Sequence, residues 1–190
     1  MTDAYMGIDQ SFGGFAIVVW VPEWQKADYD LKAYPAKNYG SGVDRLKAVT
    51  EHIVDVTHDI HKKDLDVKHI CMEGYARNSR FRREEAGELG ATVKLTLTAA
   101  FGKPVSYPTI VAPTQLKQYV TGTAKASKDD MKRGVHSKWG ELYFNDNLAD
   151  AYGLARMAEA VATGQTNPDN LYEAEVVARL NGHTEMPAAA

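Results

Sequence analysis

The chain has 190 residues, 44% of them hydrophobic and 25% charged, which is the make-up of one ordinary globular domain with a sizeable core. No apolar run approaches the roughly 18 residues of a membrane span, and the start MTDAYMGIDQ has neither the basic residues nor the apolar stretch of a secretory signal. A single cysteine, Cys71, excludes an internal disulfide and a cysteine-built zinc site, so a soluble, intracellular protein without a membrane partner is expected.

The net charge of -3 is unevenly spread. Residues 1–67 carry 7 Lys and Arg against 11 Asp and Glu, residues 68–138 carry 13 against 6, and residues 139–190 carry 2 against 8. The basic middle block reads either as a face for a polyanion or as chance clustering on solvated helices.

In chain order, Ala4 to Asp9 reads as a short strand and Phe15 to Val21 (FAIVVWV) as a longer one. Between them, Gln10 to Gly14 reads as a hairpin connection whose glycines supply positive φ. A weaker third strand is expected around Asp30 to Ala36. Val43, Leu46, Val49, Ile53, Val56 and Ile60 then recur at helical spacing, with Ser41 and Asp44 placed as a capping box, which predicts a helix to about His61. Asp66 to Glu73 reads as a strand parallel to the first. Residues 84–101 have helical composition, with Gly87, Gly90 and Ala91 as points of close packing, and Pro104 to Tyr107 reads as another short strand. Pro113 opens a short helix that stops at Gly122. Ser127 and Asp130 form a capping box for a helix to about Trp139, and Asn145 or Asp146 caps a long helix, Asn147 to Ala162. Residues 1–162 are expected to form the domain proper, and 163–190 an acidic tail or an extra helix.

Four carboxylates stand out by placement. Asp9 and Glu73 each end a strand, and Asp146 and Asp150, four apart, share a helix face. Parallel neighbouring strands would bring Asp9 and Glu73 to the same edge, where open α/β sheets build their sites. Carboxylates converging without basic partners repel one another, and the usual remedy is a hard divalent cation, Mg²⁺ or Mn²⁺. Two such ions about 4 Å apart suit phosphodiester cleavage. Each residue also has an ordinary reading: an Asx turn at Asp9, a strand end at Glu73, a helix cap at Asp146.

The segments GIDQSFGGFAIVV, ICMEGYARNSRFRREEAGELGATVKLTL, VAPTQLKQYVTGTAKASKDDM and NDNLADAYGLARMAEA, in that order over residues 5 to 162, resemble the RuvC family of Holliday-junction resolvases in its phage-like form. The resemblance implies an α/β, RNase H-like fold with a mixed central sheet flanked by helices. It implies a metal-dependent crossover junction endodeoxyribonuclease that uses Mg²⁺ or Mn²⁺ as two ions, acts as a homodimer on branched DNA and leaves 5′-phosphate ends. The setting implied is the cytoplasm of a bacterial or phage-infected cell. Position by position, Asp9 resembles the first-strand aspartate, Glu73 the central glutamate and Asp150 the aspartate of the last helix. The family's remaining ligand falls at Asn147, so either Asp146 in a shifted helix start or Asn147 as a neutral oxygen donor completes the set. Lys128 resembles the lysine that follows the glycine loop and contacts the phosphate near the scissile bond, and Lys125 precedes it in the same basic turn.

Beyond Glu73, the stretch YARNSRFRR places Arg77, Arg80, Arg82 and Arg83 with Tyr75 and Phe81, arginines for phosphates and rings for unpaired bases, or else an exposed basic loop. The family's wedge aromatic falls here at Ala76, which leaves Tyr75 or Phe81 to take that part. The alternatives are a nuclease of the same fold acting on an RNA–DNA hybrid or a flap, and a non-catalytic branched-DNA binder. The latter gains if neither Asp146 nor Asn147 joins the carboxylates.

Overall fold

The computed structural model describes residues 1–74, 83–102 and 107–182. Five strands form one mixed sheet in the order β3-β2-β1-β4-β5, with β1 Thr2–Asp9, β2 Phe15–Val21, β3 Lys26–Lys32, β4 Leu65–Glu73 and β5 Thr109–Val111. β1, β2 and β3 run as an antiparallel meander, while β4 lies parallel to β1 and β5 parallel to β4. The helices are the short α1 Ala36–Tyr39, then α2 Val43–Lys62, α3 Arg83–Phe101, α4 Pro113–Thr121, α5 Lys128–Trp139, α6 Asp146–Thr163 and α7 Leu171–Leu180.

The unbroken apolar run of β2 reflects burial on both faces of the sheet. Ala16, Val18 and Trp20 join Tyr5 and Cys71 in a core against α4, α5, α6 and α7. Phe15, Ile17, Val19 and Val21 join Ala4, Met6 and Ile8 in a second core against α2 and α3. The period of two therefore assigns Asp9, two residues past Gly7, and Glu73, two past Cys71, to the α6 side of the sheet. Gly7 is where that side is tightest: a Cβ there would lie 2.0 Å from the Ala151 carbonyl oxygen and 2.3 Å from the Ala155 nitrogen.

Several local expectations are corrected. The third strand lies at 26–32 rather than 30–36, because the single turn Pro22–Trp24 and Gln25 at φ 48° bring the chain straight back onto β2. Tyr34, expected in that strand, is instead fully buried, with its hydroxyl against His52 Nδ1. Helix α2 begins at Val43 with Gly42 at the N-cap and no side-chain cap bond, so Ser41 falls one position outside the capping box. Neither Gly13 nor Gly14 has positive φ; Gly14 is required for space, since the Asn147 amide occupies the place of a Cβ. Gly87 faces open space rather than a close neighbour. The strand expected at 104–107 falls largely outside the described residues, and β5 follows at 109–111. The capping box of Ser127 and Asp130 on α5 and the Asn145 cap of α6 form as the sequence indicates. Past residue 163, α7 packs Val176 and Val177 into the core and is fastened by the Lys138–Glu173 ion pair at 2.6 Å, both side chains nearly buried.

Candidate active site

Asp9 and Glu73 meet at the carboxyl ends of β1 and β4, one residue past the paired Ile8 and Met72. Gln10 ties the two strand ends together by donating from Nε2 to the Glu73 carbonyl at 2.9 Å, while its own Oε1 is buried without a partner. α6 crosses the same edge and contributes Asp150, held close because Gly7 lets the helix backbone rest on β1.

The electrostatics follow from burial. Asp9 is 5% exposed, and its carboxyl is pushed up first by that burial, then by the charge of Glu73 and a hydrogen bond shared with it. Glu73 is also raised by burial, against the opposing pull of the Asp9 hydrogen bond and Lys117. Buried side by side, both carboxyls are thus pushed toward their protonated forms. Asp150 is pushed up to about 7 by burial and by the charges of Glu73 and Asp146, with Lys128 and Lys117 opposing. Three carboxylates thus share one region in which the nearby lysines do not compensate them.

Asp146 behaves otherwise. It starts α6, and hydrogen bonds from Lys128 and Lys132 hold it below the usual carboxylate range. Asn147, the other candidate, lays its amide against Gly14 in the β1–β2 connection. Lys128 is largely exposed and near enough for its charge to act on Asp9 and Asp150. Lys125 is exposed in the α4–α5 turn. Tyr75, Arg77, Arg80, Phe81 and Arg82 lie outside the described residues, and Arg83 opens α3.

Two lysines at the site escaped the sequence reading. Lys117, on α4, acts on both Glu73 and Asp150. Lys132, on α5, pairs with Asp146. The signal for Lys132 was its position one helical turn after Lys128; for Lys117 only the packing of α4 on the sheet edge reveals it.

Among the described residues, no three His, Cys, Asp or Glu side chains stand placed to hold a metal ion together. The chemistry of Asp9, Glu73 and Asp150 nevertheless fits a hard divalent cation: the donors are all oxygen, largely buried and mutually repelling.

A structure of RuvC from Thermus thermophilus matches over 82% of this chain and 91% of its own, at 20% identity and a TM-score of 0.57. Thermus thermophilus RuvC in complex with a Holliday junction substrate matches over 80% of this chain and 90% of its own, at 21% identity and a TM-score of 0.59. The chain has the RuvC fold. This is the α/β, RNase H-like arrangement of a mixed five-stranded sheet with helices on both faces. No protein-family model matches the sequence, and comparison with curated proteins gives no match. On the RuvC fold of this chain, Asp9, Glu73 and Asp150 stand at one edge, brought there by two parallel strands and the helix that crosses them.

Proposed function

We propose that this protein is a metal-dependent endonuclease that cuts branched DNA, four-way junctions above all, by phosphodiester hydrolysis. One observation carries the reading: three uncompensated carboxylates, two at strand ends and one on α6, at one sheet edge of a RuvC fold. A binding module gains nothing from buried carboxylates whose charge repels phosphates, so their presence here argues for chemistry. Asp9, Glu73 and Asp150 would hold Mg²⁺ or Mn²⁺, which supplies charge stabilisation and lowers the pKa of water. Lys128 and Lys117 neutralise phosphate oxygens beside the carboxylates. Water adds to phosphorus as the 3′ oxygen leaves with a proton, giving 5′-phosphate and 3′-hydroxyl ends. A homodimer supplies two such sites, one for each of two opposed strands.

A second reading, a branched-DNA binder without catalysis, draws support from Asp146, which is engaged by lysines instead of joining the other carboxylates. The two readings part in one experiment: purified protein with an end-labelled four-way junction, a linear duplex, a flap and an RNA–DNA hybrid, each with and without Mg²⁺. Paired symmetric nicks in the junction, dependent on Mg²⁺, are expected. Junction binding without cleavage in Mg²⁺ or Mn²⁺ would establish the binder, and preferential cutting of the hybrid or flap would move the substrate.

A further inference from the structure

Asp146 makes two ion pairs at the rim of the carboxylate cluster. Lys128 Nζ lies 3.0 Å from its Oδ2, and Lys132 Nζ lies 3.1 Å from its Oδ1. The two lysines are one turn apart on α5, so both reach across to the start of α6, and each takes a different oxygen of the same carboxylate. Two ammonium groups grip a phosphodiester in the same way, one on each anionic oxygen. The grip is placed where a substrate phosphate has to arrive, since the Lys128 charge acts on both Asp9 and Asp150. Solvent reaches it: the Lys128 side chain is 75% exposed and those of Asp146 and Lys132 31% and 28%, with Lys132 also pairing with Asp129 at 3.1 Å.

We propose that Asp146 stands in for a substrate phosphate between Lys128 and Lys132 and is displaced by the DNA backbone, which makes Lys132 a phosphate-binding lysine of the site beside Lys128 and Lys117. The inference rests on the nuclease reading and deepens it. Solvent-exposed ion pairs are weak and readily exchanged. A phosphodiester carries one negative charge, as the carboxylate does, so the lysines lose nothing in the exchange. The released Asp146 then faces DNA as an unpaired anion, so it competes against every phosphate that enters and weakens loosely seated complexes most. With both oxygens engaged by lysines, Asp146 is a competitor for the lysines and not a fourth ligand to the cation.

The test uses the full chain and an end-labelled four-way junction in EDTA, so that binding is read without cleavage. Asp146→Asn is expected to bind the junction about threefold to tenfold more tightly at 0.1 M salt, the effect of freeing one or two exposed charges. Lys132→Ala is expected to weaken binding and to flatten the slope of log affinity against log salt by about 0.9, the release of one contact's counterions. A parallel thermal melt with and without Mg²⁺ gives a readout apart from DNA: the Asp146→Asn protein keeps the parental Mg²⁺-induced rise in Tm. Asp146→Ala is run alongside; because Asn145 caps α6, both variants are expected to fold. Loss of the Mg²⁺-induced rise in both variants would make Asp146 a ligand and overturn the proposal. Unchanged junction affinity in Asp146→Asn, or an unchanged salt slope in Lys132→Ala, would overturn it equally. If the parental protein binds no branched DNA, the nuclease reading falls and takes this inference with it; parental binding with unaffected variants sinks the phosphate exchange alone.

Discussion

Replacing Asp150 by Asn is expected to stabilise the metal-free protein, and to do so more at alkaline than at acid pH. The carboxyl of Asp150 moves from 3.8 up to about 7 on folding, chiefly through burial. A pKa raised by folding means that the folded chain holds the proton more tightly than the unfolded one. The contribution is most favourable below pH 3.8 and is lost as pH rises through about 7. In free energy the ionising carboxylate costs about 2 kcal/mol at pH 5 and about 4 kcal/mol at pH 8, taking 1.36 kcal/mol per unit. An amide of the same shape removes that cost. For a chain of this size about 1 kcal/mol moves Tm by roughly 2 to 4 °C, so the variant should melt about 8 to 16 °C above the parent at pH 8 and about 4 to 8 °C above it at pH 5. Circular-dichroism melts in EDTA at the two pH values provide the assay, and adding Mg²⁺ at pH 8 should raise the parent's Tm and narrow the gap. A variant that melts at or below the parent at pH 8, or whose gain is the same at both pH values, refutes the argument that Asp150 is a buried charge awaiting a cation.

Asp9→Asn and Glu73→Gln should each abolish Mg²⁺-dependent cleavage of a junction while leaving gel-shift affinity equal or higher, because negative charge facing phosphates is removed; cutting at the parental rate would dismiss the assigned residue. Gly7→Ala should cost about 3 kcal/mol or more in urea unfolding, since its Cβ meets helix backbone that cannot rotate away, and a neutral result would mean that α6 does not rest on β1. Lys138→Met should cost about 3 to 5 kcal/mol by stranding the buried Glu173 carboxylate, and the added change Glu173→Gln should recover most of that; no recovery would place the loss in packing.

How much was legible in the sequence depended on where each signal resides. β2 and the parallel pair β1 and β4 were readable because burial writes itself directly into an apolar run. Asp9 and Glu73 were readable as a pair because each ends such a strand and parallel strands send both to one edge, and Asp150 because it lies in the first turns of the helix that follows the Asn145 cap. β3 was misplaced because the edge strand KADYDLK is mostly exposed, so the alternation of Ala27, Tyr29 and Leu31 is short and backed by little burial, while the buried Tyr34 drew the expectation downstream. The hairpin glycine was noticed for the wrong reason: backbone freedom is what a sequence suggests, but the constraint at Gly14 is the Asn147 side chain, 133 positions away in the chain. Lys117 and Lys132 were hidden because charge on a helix says nothing of which neighbour it will face until the helices are packed.

The glycine gap at Gly7 makes the spacing of the three carboxylates a property of layer thickness. Asp9 and Glu73 belong to the sheet and Asp150 to the helix above it, so no bond or turn fixes the distance between them; it is set by how deeply α6 sinks onto β1, to the point where nothing larger than a hydrogen fits between backbone and backbone. The protein therefore works as a gauge block: one methyl group slipped beneath the helix changes the opening between the jaws. Tuning the proposed cation site for a larger or smaller ion would be done from below, at the sheet–helix seam, without touching any of the three carboxylates proposed to hold it.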